Sequence, residues 1–397
     1  PGPGVVPLSL RERASGKRYY RLYAIFNSIS YPVLAEGVVT LVLLRLGGTE
    51  TWVGVTAALL YVTLPFMLLG YRTIPRLGVS GTAGLFWVLR SLSAAFMIAA
   101  PWAAQSLGGS WGLWCMFIGS LGFNVGRSAG VVSFTGIVTE LTTDKDRGDL
   151  ISSSMRVSQG GTLLVTVLMA LLLGPHAHTL NYQLFFAVGL ASGLAAAWSL
   201  WRIPESGQFR NAPPFRLAEH VRWLMESQGR RSFLAMMIVV PVTQGIARTF
   251  LLLVAKQGYG LSDQVVLAYV IVGTLGGILA SYAYGLFLDK LGSRPLLVLT
   301  GFIDTASVAV IVLLPVRPQP LLMGLAFLLT GYANIAYQAA MQHYFIGITG
   351  RRQQLPLAIL TQGLGGVAAG LALSAGGWSL EVLNGALAGS ADPLLRF

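Results

Sequence analysis

The chain has 397 residues, 54% of them apolar and 11% charged, with a mean hydropathy of +0.67. A soluble domain carries roughly 25% charged residues, so a water-soluble globule is excluded. One cysteine, Cys115, allows no intrachain disulfide, no Cys or His spacing suits a metal site, and no cofactor is expected.

Recurrent apolar runs of about 20 residues instead describe an all-α polytopic bundle in a membrane. Eleven spans are predicted in chain order, at 20–45, 51–71, 80–100, 111–138, 150–173, 180–202, 232–255, 264–288, 295–315, 319–346 and 355–377. The first follows a basic segment, but it is too long for a signal peptide and holds Glu36, so it reads as a permanent span. Between the sixth and seventh spans, residues 204–230 are polar and basic. There Leu217, Val221, Leu224 and Met225 recur at helical spacing beside Arg216, His220 and Arg222, the pattern of an amphipathic tether lying on a membrane surface.

The net charge of +12 sorts with this topology. The N-terminal tail and alternate loops hold nineteen of the 27 Lys and Arg, against Arg45, Lys256 and Arg317 on the other side. The positive-inside rule places the N-terminus and the long middle loop in the cytoplasm. The basic balance is thus a topology signal and no nucleic-acid partner is expected.

The sequence repeats itself in parallel. Arg76–Leu77–Gly78 registers with Lys290–Leu291–Gly292 at an offset of 214, Asn124 and Arg127 with Asn334 and Tyr337 near 210, and Ser158–Gly160 with Thr361–Gly363 at 203. Parallel repeats of several spans characterise transporters, whose solute site lies at the repeat interface near mid-membrane. The register gives domains of 1–203 and 231–397 joined by a linker, 204–230. Tyr182–Phe186, which opens the sixth span, aligns with Pro393–Phe397, so a twelfth helix is expected to follow, with 11 of 12 spans present.

After the eighth span stand Gly285, Asp289, Lys290, Gly292 and Arg294, within Gly285–Leu–Phe–Leu–Asp–Lys–Leu–Gly–Ser–Arg294. This segment resembles the loop motif G-x-L-x-D-[RK]-x-G-[RKS]-[RK] of the major facilitator superfamily (MFS), and span number, orientation and repeat agree with that family along the whole chain. In the first repeat Pro75 takes the Asp position, so the inner gate there must be held differently. A weaker resemblance to the antiporter pattern in the fifth span matches Gly161, Gly174 and Pro175 but has Ala170 where a glycine belongs. The resemblance implies the MFS general transporter fold of two six-helix pseudo-symmetric halves, and it makes the motif residues a gating latch.

Ionisable groups inside spans cost roughly 2.5–3.5 kcal/mol at a helix centre and usually mark a wet cavity or a partner. Glu36 in the first span and Arg248 in the seventh follow Pro32 and Pro241 and occupy nearly equivalent repeat positions. The resemblance makes both spans line the central cavity, so Glu36 and Arg248, with Gln244, form a candidate proton-coupling or substrate-charge site. Asn124 and Arg127 share a face of the fourth span, as Asn334 and Tyr337 do in the tenth with Gln338 one turn on. These complete the expected cavity set, with Arg127 the foremost candidate for binding an anionic group or the Glu36 carboxylate. Arg90 and Asp304, a further repeat pair, are expected as buried structural charges.

The expected function is secondary active transport of a small solute by alternating access, coupled to protons or ions, by a monomer surrounded by membrane lipid in a bacterial inner (plasma) membrane. The alternatives are an MFS-like solute sensor and a polytopic lipid-modifying enzyme. Against an enzyme, Glu140, Asp144, Asp146 and Asp149 alternate with Lys145 and Arg147 as gate charges do, and no Walker-type phosphate loop is present.

Overall fold

The structure, a computed structural model, describes residues 7–35, 37–143, 146–173, 178–210, 215–313, 319–349 and 354–387. The described residues form helices and turns only. The first span is α1 (Leu10–Ala35) and α2 (Gly37–Arg45). The second is α3 (Glu50–Val62), a 3₁₀ turn (Leu64–Phe66) and the start of α4 (Met67–Leu92). Pro65 lacks an N–H, which explains the interruption.

Helix α4 is two helices fused at Gly78 (φ 74, ψ 178), so its latter part and α5 (Ala94–Leu107) make the third span. There follow α6 (Gly109–Leu141), α7 (Arg147–Leu172) and α8 (Thr179–Trp201), the short α9 (Leu217–Met225), and α10 (Gln228–Leu253) ending in a π turn. The chain continues through α11 (Asp263–Leu291), α12 (Ser293–Val312), α13 (Pro320–Ile348) and α14 (Gln354–Leu387).

Among the described residues nine helical stretches are long and apolar enough to cross a membrane. One of them, Glu50–Leu107, holds two passes because Gly78 breaks it. With the 33-residue α6, the eleven expected passes are accounted for.

The bundle is apolar outside and carries polar groups inside. Phe302, Leu171 and Leu321 are exposed on its exterior, while Arg90 is fully buried. That distribution suits hydrocarbon as the solvent, where helices satisfy their own backbone.

Helix pairing follows the repeat. The contact of α1 with α7 has its counterpart in α10 with α14, and that of α5 with α6 in α12 with α13. The most extensive contacts between the first six spans and the last five are those of α3 with α14 and α7 with α11. Helices α3 and α14 approach closely because glycines face each other: a Cβ on Gly54 would lie 3.0 Å from the Gly377 Cα and 2.7 Å from the Leu373 carbonyl.

The core is divided unequally along the helices. Toward the end bearing Arg45 and Lys256, one apolar cluster draws on both parts of the chain: Leu41 and Met169 with Leu251, Val266 and Phe327. Toward the opposite end it separates in two. One cluster gathers Tyr23, Ile74 and Ile137, joined from α14 by Leu355 and Ile359, and the other gathers Phe233, Tyr284 and Leu357.

The amphipathic segment forms α9 as expected, with Leu224 buried in the second of these clusters and Leu217, Val221 and Met225 exposed. Three of its four apolar positions therefore face outward, leaving an apolar stripe available to an interface. Residues 388–397, including the segment aligned with the sixth span, lie outside the described residues.

Gly78 and Gly292, aligned in the repeat, adopt one conformation, φ 74, ψ 178 and φ 76, ψ 168, a region that essentially only glycine tolerates. Their surroundings differ. Among the described residues a Cβ on Gly292 meets nothing within 4 Å, whereas one on Gly78 would lie 1.8 Å from Glu205 Oε1. Gly292→Ala should cost the backbone strain alone, about 2 kcal/mol, and Gly78→Ala that strain plus displacement of Glu205. Thermal unfolding in detergent should show the larger Tm loss for Gly78→Ala, with the gap narrowing in a Glu205→Ala background. Equal losses in both backgrounds would contradict this assignment.

Candidate functional site

A cavity of about 80 Å³ lies where four spans meet, room for several water molecules. Leu34, Ala35, Gly37, Val39 and Thr40 line it from the first span and Thr56, Ala57, Leu60 and Tyr61 from α3. Ser120 and Asn124 contribute from α6, and Arg248, Thr249 and Leu252 from α10. Its walls are thus mainly aliphatic with a few polar groups, the usual make-up of a small-molecule site. Both parts of the repeat contribute.

Three of the polar lining residues are buried, and each keeps an atom without a hydrogen-bond partner among the described residues: Thr56 Oγ1, Ser120 Oγ and Asn124 Oδ1. Asn124 spends its other end internally, Nδ2 donating to the Ser120 carbonyl at 2.9 Å. A buried polar atom left unmatched costs about 1–3 kcal/mol, and these three belong to residues that line one cavity.

The shape of α3 beside the cavity depends on α6. Thr63 Oγ1 donates to the Leu59 carbonyl at 2.7 Å and lies 3.0 Å from Ser128 Oγ, and Arg127 Nη2 donates to the Leu60 carbonyl at 2.5 Å. These bonds supply partners to carbonyls next to the Pro65 interruption, where the regular ladder ends. Arg127 therefore supports the cavity wall from behind, and it is absent from the lining.

Of the expected cavity set, the structure brings Asn124 and Arg248 together on the lining. Glu36 lies outside the described residues, although its neighbours Ala35 and Gly37 both line the cavity. Gln244 is buried beside the Asp304 carboxyl. Gln338 Nε2 donates to Asn334 Oδ1 at 2.9 Å one turn away, and the Tyr337 hydroxyl is turned to the Met236 carbonyl and Met237 Sδ, both at 3.5 Å. These three serve α13 and its packing on α10, away from the lining. Thr56 and Ser120 were not anticipated, yet Ser120, Asn124 and Ser128 recur every four residues, a polar stripe readable on one helix face.

Arg90 is buried as expected. Its Nη2 donates to Asn27 Oδ1 at 2.9 Å, and its guanidinium lies 4.5 Å from the ring centroids of Trp87 and Phe123. Gly161, from the antiporter-like pattern, packs against Ser28, while Gly174 and Pro175 lie outside the described residues.

At the Arg45 end a single carboxylate joins the two parts of the chain. Asp263, at the start of α11, is 1% exposed. It receives Arg45 Nε at 2.8 Å, the Lys256 ammonium and the Tyr182 hydroxyl. Arg45 also covers the Tyr182 ring at 4.8 Å. In the sequence Arg45 and Lys256 count only as sparse charges on one side, and their partner is invisible until the fold brings α11 to α2. Nearby, the Thr51 N–H donates to Glu381 at 3.2 Å, tying α3 to α14.

At the opposite end, Glu205 answers the loss of the loop Asp in the first repeat. Its carboxylate accepts the Ser80 N–H at 3.1 Å, at the helix start just past Gly78, and pairs with Arg210 at 3.2 Å. A carboxylate from beyond the sixth span thus stands where Pro75 provides none. Lys17 and Thr143 bind Asp146 and hold its carboxyl well below the usual range. Burial pushes Glu140 up, opposed by the Ser206 N–H it accepts at 2.7 Å.

Among the latch residues, Gly285, Asp289 and Lys290 occupy the last turns of α11, and the side chains of Asp289 and Lys290 lie outside the described residues. Gly292 makes the turn, and Arg294 lies 5.8 Å from the Tyr344 ring centroid. Among the described residues no His, Cys, Asp or Glu group is arranged for a metal.

This architecture agrees with a family model described as MFS/sugar transport protein, which matches residues 85–345. The chain belongs to that family. It is a membrane transporter of the major facilitator superfamily, and the enzyme alternative is set aside because this is a transport family. Solved MFS structures share the fold. A point mutant of the nucleoside transporter NupG superposes with a TM-score of 0.68 at 12% identity, covering 93% of this chain and 92% of that one. The xylose transporter XylE from E. coli, in a partially occluded inward open conformation, gives 0.63 at 15% identity, covering 93% and 91%. The human organic anion transporter MFSD10 gives 0.61 at 14%, covering 92% and 93%. At these identities the likeness is one of fold. No curated protein matches the sequence.

The Asp263 cluster yields a direct test. Removing one partner of a buried ion pair costs about 3–5 kcal/mol, so Asp263→Asn, which strands two cations, should lower Tm more than Arg45→Gln, which leaves Lys256 in place. Differential scanning fluorimetry of the purified MFS protein reads both, and an Asp263→Asn variant as stable as the parent would show that the cluster holds nothing together.

Proposed function

We propose that this MFS protein is a secondary active transporter that carries a small polar solute by alternating access and draws on a proton or ion gradient. The moving bodies are residues 1–203 and 231–397, with 204–230 as the tether between them. The matched helix pairs and the shared conformation of Gly78 and Gly292 support that division. Nineteen cations against three support a cytoplasmic N-terminus. The protein works as a monomer in a bacterial inner membrane.

With that orientation the Arg45 end is the outer one. The joint apolar cluster and the Asp263 bridges close it, while the inner end holds two separate clusters with α14 bridging to the first. The described conformation is then outward-closed. Conversion requires Asp263 to release Arg45 and Tyr182 as the bodies rock.

The observation that carries the solute assignment is the trio of Thr56, Ser120 and Asn124, whose free polar atoms share a cavity with Arg248. Hydroxyl and amide groups on aliphatic walls suit a hydroxyl-rich solute of sugar or nucleoside type. The family description and the substrates named for NupG and XylE accord with that class. Arg248, with Glu36 of the first span, supplies the charges that orient the solute or close the cavity around it.

Uptake of radiolabelled xylose and uridine into reconstituted vesicles tests this. Each hydrogen bond lost should weaken binding about tenfold, so Asn124→Ala and Thr56→Val should raise KM about tenfold each. The control is Gln338→Ala, away from the cavity lining, which should leave KM unchanged. Saturable binding of either solute without flux would make the protein a sensor instead.

A further inference from the structure

Among the described residues, a carboxyl that the solute site does not use lies in the membrane interior. Asp304 sits in the middle of α12 and is 8% exposed. Its buried face continues through Thr300 and Ser307, so it looks into the bundle. The partners it finds there are neutral. Thr243 Oγ1 lies 2.9 Å from Asp304 Oδ2, and Gln244 stands beside the same carboxyl.

Helices α10, α11 and α13 pack against α12. Besides Thr243 and Gln244, α10 carries Arg248, which lines the cavity. From α11, Tyr284 is bonded to Thr300, one turn before Asp304. From α13, Tyr332 packs on Tyr284, and the Tyr337 hydroxyl is turned to Met236 and Met237. Arg294, ten residues back along α12 and so about 15 Å away, is turned to Tyr344. Among the described residues no salt bridge reaches Asp304.

The hydrogen-bond geometry around this carboxyl accommodates two protonation states without moving a heavy atom. Thr243 has one hydroxyl proton and two acceptors in reach, Asp304 Oδ2 at 2.9 Å and the Val240 carbonyl at 3.0 Å. With Asp304 ionised, Thr243 donates to it. With Asp304 protonated, its O–H donates to Thr243 Oγ1, and the threonine proton turns to Val240.

We propose that Asp304 is a proton-binding site through which a proton gradient drives this transporter. The proposal rests on the transport reading above and specifies its coupling ion. Proton uptake removes a charge that only neutral dipoles support and leaves the Thr243–Asp304 contact between α10 and α12 uncharged within the bilayer. Thr243 and Gln244 follow Pro241, where α10 lacks a backbone N–H, and one turn beyond Gln244 stands Arg248 on the cavity wall. Helix α10 thus carries both the group that senses the carboxyl and a group that meets the solute.

Infrared spectra of the purified full chain in lipid nanodiscs, recorded across pH, test the site without any solute. The parent should show a carboxylic-acid C=O stretch that fades reversibly as pH rises and is missing in Asp304→Asn. Thr243→Val, which removes a donor to the ionised form, should move the midpoint to higher pH. Identical spectra for parent and Asp304→Asn at every pH would overturn the proposal. So would an unmoved midpoint in Thr243→Val.

In vesicles, uptake of xylose or uridine driven by an imposed pH gradient should fall to the ungradiented level in Asp304→Asn, while exchange of labelled for unlabelled solute persists. Gradient-driven accumulation retained by Asp304→Asn would refute the coupling role. Absence of flux in the parent would count against the transport reading alone, since the infrared titration reads the carboxyl by itself.

Discussion

A polar group inside hydrocarbon must find its partner within the protein, and the architecture of this chain follows from that constraint. Where the backbone is interrupted, at Pro65, the Thr63 hydroxyl and Arg127 of α6 bond to the neighbouring carbonyls. Where a guanidinium is buried, at Arg90, an amide and two aromatic faces surround it. Where the constraint is left unmet, at Thr56, Ser120 and Asn124, a cavity lies alongside.

The repeat gives the same frame twice and then departs from it in charge. Asn27 of the first span binds Arg90 of the third, and Thr243 of the seventh binds Asp304 of the ninth. The first position holds a cation that stays charged at every physiological pH, and the second holds an acid that can be neutralised. The two halves of the pseudo-symmetric pattern are therefore suited to different tasks, one to fix a helix and the other to respond. A similar departure occurs at the turns, where Gly78 and Gly292 share a conformation but Glu205 occupies only the first.

The passes, the repeat and the family were legible from the sequence because hydropathy, basic loops and the Gly285–Arg294 segment are local signals. The cavity was legible in part. Asn124 and Arg248 were found by repeat register and by the cost of a charge within a span. Thr56 and Ser120 were missed because small hydroxyl residues are also common packing residues in membrane helices. Arg127 bonds to a backbone carbonyl beside the α3 interruption, a partner that only the packing of α6 on α3 reveals. The bridging role of Asp263 gave no local signal, since two of its three partners lie 218 residues back at Arg45 and 81 back at Tyr182.

The central claim is that two bodies rock about the cavity, closing one end as the other opens. Pulsed spin-label distances on the reconstituted protein measure this directly, with one pair at Gln105 and Leu321 on the Arg45 end and another at Arg76 and Leu291 on the opposite end. The account predicts a short outer distance at rest, and on adding a transported solute under a gradient a second population in which the outer pair lengthens and the inner pair shortens. Both pairs holding a single unchanged distance under all conditions would contradict it.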